Sequence, residues 1–497
     1  MNNIQVKLGA TLSYVSIALK ILISLIYTPV MLRLLGQQEY GLYQLSASVV
    51  SNLSILSLGF SSSYVRFFAR SQGDEPKVEL SRLNGMYMLI NSVLALVVLV
   101  VGMVLVSQSR LVFGPTFSHE ELVRASQLLF ILVINLSLSF VNMTFNAYIT
   151  ANQNFIFQRI LEIVQALTSP FLQLPLLLLG FGSLGVVIGT TLTSIIIYLV
   201  NIIYSFKKLS MKVSFRGMDF ELFREIGSYS SFIFIAMIID QINWSVDVYL
   251  VGRFKGTLAT ASYAIAEQID GYFRTFATAL TNVLIPSVHL LIANKTSNEH
   301  LSHFFAKTGR VQFVIMALFG TGFIFFGRPF IHYWAGENYN SSYAIAVVMV
   351  IPLILITSQS LGIEIRRAKN QQKFYTLVSF ITAVLNVILT AIFLNFFPPI
   401  SAAFSTSITL VLNAIILNWD YSRNLGIDMK YFWSEIVQLF KAMIIPIAVG
   451  VVIVSFVNLY DIKLFVIGAT MYVVTYVVSV WFLGLSREEK DMVLKRK

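Results

Sequence analysis

The chain opens with a hydrophobic stretch that already indicates the kind of fold. Residues 9–32 read GATLSYVSIALKILISLIYTPVML, with a single charged residue, Lys20, near the middle. About 20 apolar residues in a helix span the hydrocarbon of a bilayer, and this stretch lacks the small-residue cleavage site of a signal peptide. It therefore predicts a retained membrane-spanning helix that carries a charge at membrane depth.

Stretches of the same kind recur along all 497 residues. Hydrophobic residues make up 57% of the chain and charged residues only 12%, whereas soluble domains are about a quarter charged. The pattern predicts an all-α polytopic membrane protein with about 14 transmembrane helices and short loops. The spans are expected to begin near Gly9, Gly41, Leu83, Ser126, Leu161, Leu184, Tyr229, Thr260, Gly309, Ser341, Phe374, Ser401, Phe440 and Leu464.

The basic residues are distributed unevenly around these spans. If the N-terminus is cytoplasmic, the inner segments hold 25 of the 35 Lys and Arg residues and the outer loops hold seven. Short cytoplasmic loops carry the excess of Lys and Arg, so both termini are expected in the cytoplasm. The net charge of +11 is then explained by the Lys and Arg residues of the predicted cytoplasmic loops, and no nucleic-acid partner is implied.

The two halves of the chain share weak landmarks. The first span is predicted to end at Gly36 and the seventh at Gly252, and similar Asn/Gln turns follow the fourth and tenth spans at 152–154 and 370–372. Six spans per repeat give two six-helix lobes in parallel orientation, with a binding site between them. The predicted divisions are an N-lobe, a cytoplasmic linker, a C-lobe, and two extra helices with a cytoplasmic tail, at 1–206, 207–228, 229–421 and 422–497.

Polar side chains recur at helical spacing within the spans, and two interpretations stay open for them. Ser, Thr and Asn commonly hydrogen-bond between membrane helices, whereas a buried charge usually faces a water-filled cavity or a partner. Lys20 either lines a solvated cavity or forms a purely structural ion pair, and the acids near Arg274 either function or simply neutralise it. Glu162 and Glu364 lie near cytoplasmic span ends and are expected to be solvated.

Signs of catalysis are poor. The five His residues lack metal-ligand spacing, and there is no cysteine, which excludes disulfides and thiolate metal sites. No glycine-rich segment follows a strand to bind phosphates. We therefore expect no catalytic residue, no metal and no cofactor.

Three segments resemble a known family. They are LLGQQEYGLY at 34–43, LSLGF at 56–60 followed by Arg66-Phe67, and PFIHYWAGENY at 329–339. In this order they resemble the polysaccharide-unit flippases (Wzx type) of the multidrug/oligosaccharidyl-lipid/polysaccharide (MOP) exporter superfamily. The resemblance covers essentially the whole chain and implies a MATE/MOP-like fold that works by alternating access.

The resemblance also implies a cargo. Family members move an undecaprenyl-pyrophosphate-linked oligosaccharide, for O-antigen, capsule or exopolysaccharide, to the outer leaflet of the bacterial cytoplasmic (inner) membrane. Membrane lipids, a polysaccharide polymerase and a chain-length regulator are the implied partners. Cationic side chains at membrane depth suit a pyrophosphate, and amide side chains suit a glycan. The candidate substrate-binding residues are therefore Lys20, Arg274, Arg66, Asn135, Asn142 and Asn146.

The predicted C-lobe carries acids that suit a coupling ion, either H⁺ or Na⁺. The candidate ion-coupling residues are Asp240, Asp247, Asn386, Glu267 and Asp270.

Three alternatives stay open. A lipid II flippase would show a cluster of several arginines, and a MATE-type drug antiporter commonly has a carboxylate in the first span, where this chain has Lys20. A membrane glycan polymerase or ligase would carry a large outer loop, but the outer loops here are shorter than 20 residues.

Overall fold

The structure, a computed structural model, describes residues 3–57, 59–72, 79–216 and 220–493. Helices, with a few single-turn 3₁₀ and π segments, make up nearly all of this part of the chain. A bilayer offers no water to backbone N–H and C=O groups, so these groups must pair inside the chain, as they do in a helix. The predicted all-α class is confirmed.

The chain divides into two compact units, Met1–Ala261 and Ser262–Lys497. Helix α8 runs through this division, and the predicted lobe and linker boundaries stay a prediction. The helices of the first unit, with α8 given in full, are α1 (Asn3–Leu53), α2 (Phe60–Ser71), α3 (Leu80–Ser107), α4 (Ser109–Phe113), α5 (His119–Ala151), α6 (Phe155–Leu178), α7 (Ser183–Ile203) and α8 (Phe220–Ala293).

Helix pairs bury the core of the first unit. Helix α3 packs along α5, α6 packs against both α1 and α7, and α5 also contacts α7. One cluster forms around Tyr64, Tyr87 and Phe145, and another around Leu45 and Phe113. This packing brings α1 and α6 together, which matters for the site below.

The second unit has the same all-helical construction. Its further helices are α9 (Asn298–Trp334), α10 (Ser341–Thr357), α11 (Leu361–Ala368), α12 (Gln372–Phe396), α13 (Ile400–Asp420), α14 (Met429–Phe456), α15 (Ile462–Ser479) and α16 (Arg487–Val493). Helices α14 and α15 correspond to the two predicted extra spans, although α14 begins well before Phe440. Both pack on α9, and their core includes Phe305, Phe432 and Tyr472.

The number of spans depends on how broken helices are counted. Eleven helices of the described part are long and apolar enough to cross a membrane, or up to twelve if α10 and α11, bent by 46°, form one span. A count of fourteen would require α1 and α8 to be divided as well, so the number predicted from the sequence stays a prediction.

Helices α1 and α8 each contain one glycine with a backbone that is not helical. Gly36 has φ 76° and ψ 167°, and Gly256 has φ 81° and ψ −175°. Only glycine adopts this region without strain. The sequence comparison paired Gly36 with Gly252, which is wrong, because α8 continues through Gly252 and breaks at Gly256. Tyr43 and Tyr263 then follow their glycines by the same seven residues.

The two Asn/Gln turns, the other predicted landmark of the repeat, each contain one residue with a left-handed backbone. The turn between α5 and α6 contains Gln153 at φ 59°, and the turn between α11 and α12 contains Asn370 at φ 56°. Asn tolerates this left-handed conformation better than most residues, and Gln153 adopts it in the first turn. The two turns therefore share a backbone feature, shifted by one residue from the match of their sequences.

Sequence reasoning missed a break after the second span. Helix α1 ends at Leu53, a 3₁₀ turn covers Ser54–Ser57, and α2 starts at Phe60 after Gly59 in the left-handed region. The Leu-Ser-Leu-Gly-Phe segment is thus the joint between two helices. Arg66 lies on the second of them, α2.

We predict that Gly36→Ala and Gly256→Ala each destabilise the protein by about 1–3 kcal/mol, since a Cβ strains this backbone. Thermal melting of the purified protein in detergent measures the effect. Gly227→Ala is the matched control, because Gly227 lies inside α8, has no atom within 4 Å of an added Cβ and has no positive φ. Melting of the Gly36 variant at the wild-type temperature would contradict the assignment of this junction.

Candidate functional site

Lys20 lies in a small charged cluster between α1 and α6. Its Nζ is 2.9 Å from Oε2 of Glu162, and the same oxygen accepts a hydrogen bond from Oγ of Ser16 at 3.2 Å. Nη1 of Arg159 donates to the other oxygen, Oε1, at 2.6 Å. The cluster has two cations and one carboxylate, so its formal charge is +1.

This cluster is open to its surroundings. The side chains of Lys20, Arg159 and Glu162 are 47%, 35% and 33% exposed. Glu162 lies on the face of α6 that packs on α1, and its partly exposed side chain is also ion-paired. Lys20 forms an ion pair, and the alternative in which it lines a solvated cavity stays a prediction.

The position of the cluster along its helices can be estimated. Lys20 precedes the Gly36 junction by 16 residues, roughly 24 Å at the helical rise of 1.5 Å per residue. Glu162 follows the start of α6 at Phe155 by seven residues, or about 10 Å. Both helices therefore place the cluster toward the end opposite the Gly36 junction.

Arg66, a predicted phosphate ligand, lies elsewhere in the first unit. It is exposed on α2, and its guanidinium carbon is 4.3 Å from the centre of the Tyr229 ring. This cation–π contact orients the side chain but leaves its hydrogen-bond donors available for an anion. Arg66 is thus a second, separate cation of the first unit.

The three predicted glycan-binding asparagines form hydrogen bonds to neighbouring helices. Asn135 donates to Oγ1 of Thr191 at 3.1 Å, and Asn142 accepts from Asn201 at 3.1 Å, which ties α5 to α7. The exposed Asn146 accepts from Gln158 at 2.7 Å, which ties α5 to α6. These bonds match the interhelical role that polar side chains have in membranes. Only Asn146 combines such a bond with an exposed side chain.

Two candidate ion-coupling residues, Asp240 and Asp247, lie on the first part of α8. The side chain of Asp240 lies outside the described part of the structure. Asp247 is buried, with 6% exposure, and has an interaction partner. Their spacing on one helix is confirmed by the continuous helix from Phe220 to the junction at Gly256.

The charged residues on the last part of α8 neutralise one another. Oδ2 of Asp270 is 3.1 Å from Nε of Arg274, one helical turn away, and Asp270 is almost fully buried. Glu267 on the same stretch also has an interaction partner. Arg274 is therefore ion-paired with Asp270 and is not a free cation for cargo, and a functional role of these acids stays a prediction.

Asn386 lies at the centre of a buried group of oxygens between α12 and α13. Its side-chain oxygen accepts from Oγ1 of Thr390 at 3.3 Å and from Oγ1 of Thr406 at 3.4 Å. Nearby, Asn413 donates to Oγ1 of Thr382 at 3.0 Å. These neutral oxygens form the polar interior of the second unit.

The first resemblance segment holds three other helices together at the Gly36 junction. Gln37 donates to the carbonyl of Leu258 at 3.3 Å, and Gln38 donates to Glu121 at 2.9 Å. Glu39 accepts from the backbone amide of Ser183 at 2.6 Å and pairs with Arg124 at 3.2 Å. A carboxylate at the start of α7 is favourable because the helix dipole is positive there. The segment's polar residues are therefore structural.

Two buried charge groups of the second unit were not predicted. Arg310 on α9 binds Glu435 on α14 at 2.8 Å and Glu489 on α16 at 3.0 Å. Arg366 and Asp420 form an ion pair with both side chains almost completely buried. Neither group shows in the hydropathy pattern, because each forms between distant segments at helix ends.

Glu364 was expected to be solvated, and this is wrong as well. It lies in the same region as the buried pair and binds Arg367 at 2.7 Å. No group of three or more His, Cys, Asp or Glu that could hold a metal ion occurs in the part of the chain that the structure describes.

Comparison with known structures identifies the class. The chain resembles the lipid II flippase MurJ in its inward closed conformation with a TM-score of 0.71, at 19% identity, over 98% of this chain and 100% of that one. It resembles an inward-facing multidrug resistance MATE family transporter of the MOP superfamily with a TM-score of 0.65, at 15% identity, over 84% and 95%. The fold is that of MOP transporters.

The sequence identifies the family. Residues 7–289 match the family described as polysaccharide biosynthesis protein, and the chain belongs to this family. It is also 24% identical to the uncharacterized membrane protein EpsK of Bacillus subtilis (strain 168), over 96% of this chain and 95% of the relative. The resemblance drawn from the sequence is confirmed, and the many apolar helices are those of a multi-pass membrane protein with the fold of MOP transporters.

We predict that Glu489 holds α16 in place through Arg310. Burial acts to raise the pKa of Glu489, but the hydrogen bonds and charge of Arg310 and the backbone amide of Ser486 bring it below its ordinary 4.5. A lowered carboxyl pKa stabilises the fold above pH 4.5, and this contribution is lost as the pH falls through the lowered value. The protection of the α16 amides against hydrogen exchange, measured relative to the intrinsic exchange rate at each pH, should therefore fall in acid.

Glu489→Gln should open α16 at neutral pH, with a loss of about 1.5–3 kcal/mol, the contribution of a hydrogen bond to a charged group. Arg487→Gln is the control, since Arg487 is an exposed charge on the same helix. Equal exchange in the two variants would show that the contact does not hold the helix.

Proposed function

We propose that the protein flips an undecaprenyl-pyrophosphate-linked oligosaccharide from the cytoplasmic to the outer leaflet of the bacterial inner membrane. The observation that carries the proposal is the accessible +1 cluster of Lys20, Arg159 and Glu162 in a chain of the polysaccharide biosynthesis family. A pyrophosphate is the strongly anionic part of such a cargo, and it needs cations to enter a low-dielectric region.

The depth of the cluster supports this assignment. With cytoplasmic termini, the end of α1 opposite the Gly36 junction is the cytoplasmic one. The hydrocarbon core is about 30 Å thick, so a residue about 24 Å below the junction lies in the cytoplasmic half. That is the level at which the phosphates of a lipid in the inner leaflet enter. Arg66 and Asn146, both exposed in the same unit, are further contacts for the cargo.

The charge of this region argues against the alternatives. A drug antiporter for cations needs an accessible acid, but the accessible charges on α1 and α6 sum to a positive value. A lipid II flippase would fit the charge, and the named MurJ structure shares the fold. The family match to polysaccharide biosynthesis favours the oligosaccharide cargo over lipid II. A polymerase and a chain-length regulator are the proposed partners.

We predict that Lys20→Ala lowers export of the surface polysaccharide at least about tenfold, because one of two cations for the phosphate is lost. Lys20→Arg should restore part of the export. The positive charge is kept, but a planar guanidinium replaces the compact ammonium group, so the fit to the phosphate changes. Surface glycan and accumulation of the lipid-linked intermediate in the inner leaflet are the measurements.

Lys208→Ala serves as the control, because Lys208 is an exposed lysine at the C-terminal end of the π turn after α7. Protein levels in the membrane are compared for all variants. Full export by the Lys20→Ala protein would reduce Lys20 to a structural role.

Transport in one direction requires a coupled ion, and we propose that Asp240 and Asp247, seven residues apart on α8, bind it. Asp247 is buried. Carboxylate oxygens can bind either a proton or Na⁺, so the pair suits both candidate ions. An ion gives direction only if it binds one conformation better than another.

We predict that transport by the reconstituted protein depends on a proton or sodium gradient, and that Asp240→Asn removes this dependence or stops transport. Transport of the lipid-linked cargo into vesicles, with each gradient imposed in turn, is the measurement. Asp428→Asn is the control, since Asp428 caps the start of α14. The ion assignment fails if the Asp240→Asn/Asp247→Asn double variant keeps the gradient dependence, and the flippase proposal is then unaffected.

A further inference from the structure

Glu162 divides its two oxygens between two cations. Oε2 lies 2.9 Å from Lys20 and also accepts from Ser16, and Oε1 accepts from Arg159 at 2.6 Å. An anionic cargo that approaches Lys20 and Arg159 therefore meets cations that already hold a carboxylate. If the cluster served only to bind phosphate, a resident anion at its centre would weaken it.

We propose that Glu162 is an exchangeable counter-anion of the cargo site. It holds Lys20 and Arg159 while the site is empty, yields them to the cargo phosphate on loading, and takes them back when the cargo leaves. This inference rests on the proposed function and adds a specific role for Glu162 in loading and release.

Three features of the cluster suit an exchange. The side chains are partly exposed, so a ligand can reach the cations without unfolding of the helices. Partly exposed ion pairs hold their partners less firmly than fully buried pairs, so the loss of this pair is more easily offset by a new partner. A pyrophosphate carries more charge and more acceptor oxygens than a carboxylate, so it wins the competition when present.

The exchange also explains why a flippase would keep the acid. Two bare cations would bind a pyrophosphate tightly in both leaflets, and tight binding without release does not give turnover. A carboxylate that recovers the cations lowers the barrier to release. The buried pair of Arg366 and Asp420 in the second unit cannot act in this way, because it is closed to ligands.

Binding of undecaprenyl pyrophosphate to the full-length protein in nanodiscs of zwitterionic lipid tests the proposal. Glu162→Gln should bind the probe about tenfold more tightly, since one negative charge close to the ligand is removed. In reconstituted vesicles the same variant should show a lower KM together with a lower kcat, as expected when ground-state binding improves and release slows. The double variant Lys20→Ala/Glu162→Gln should lose the gain in affinity.

Glu225→Gln is the matched control. Glu225 pairs with Arg70 at 2.6 Å in the same unit, and its side chain is 48% exposed, so it reports the effect of removing any open ion pair. The Glu225→Gln protein should bind undecaprenyl pyrophosphate with the same affinity as the wild type. If Glu162→Gln melts early, Glu162→Asp keeps the charge with a shorter reach and should bind about threefold more tightly.

The outcomes separate the two proposals. Unchanged or weaker probe binding by a folded Glu162→Gln protein overturns the exchange and leaves Glu162 as a structural partner. If Lys20→Ala alone binds the probe like the wild type, the phosphate site itself is wrong. If Lys20→Ala loses the probe while Glu162→Gln gains nothing, only the exchange is wrong.

Discussion

A charge inside a bilayer has to be paired or hydrated, because hydrocarbon supplies neither a counter-charge nor hydrogen-bond partners. The structure meets this requirement in two ways. Arg366 and Asp420 are sealed from their surroundings, and breaking such a pair leaves an uncompensated buried charge. Lys20 and Glu162 are paired but open. Burial therefore separates charges that hold the fold from charges that a ligand can reach.

The same requirement limits where the chain can turn. A loop in hydrocarbon would expose backbone groups, so breaks between membrane helices are confined to span ends, where a junction can be as short as one residue. Gly36 and Gly256 provide such junctions, and the polar residues after Gly36 satisfy the ends of neighbouring helices. The most distinctive sequence segment is thus explained by helix termination. The candidate phosphate-binding residues lie outside this segment. They are Lys20 on the earlier part of α1, Arg66 on α2 and Arg159 on α6.

Hydropathy was enough to predict the helical class and most of the helices, because a helix in lipid must be apolar over its whole length. It could not predict the partner of Lys20, since Glu162 lies 142 residues away and only the packing of α6 on α1 brings it close. Gly252 and Gly256 both precede Tyr263, and only Gly256 repeats the seven-residue spacing of Gly36 and Tyr43. The sequence therefore held a signal for the break at Gly256, which the structure confirms.

The asparagines illustrate the same limit on a smaller scale. Asn135, Asn142 and Asn146 are spaced by seven and four residues along one face of α5, and this spacing alone is compatible with a sugar-binding row. The structure uses Asn135 and Asn142 to hold α7, at distances of 3.1 Å, and leaves Asn146 exposed. A row of polar residues on a membrane helix can therefore mix structural and accessible members, which only their partners distinguish.

The sign of the accessible charge is the strongest chemical guide to the cargo. The fold is shared by a protein named as a lipid II flippase and by one named as a multidrug resistance transporter, so the fold alone does not select a cargo. The first unit offers Lys20 and Arg159 against one carboxylate, with Arg66 stacked on Tyr229. A cationic drug would be repelled by this arrangement, whereas a pyrophosphate would gain two partners by displacing Glu162. Because the cations are already neutralised in part, the site can remain at membrane depth without cargo. The acid that makes the empty site tolerable in the membrane is then the same acid that makes loading reversible.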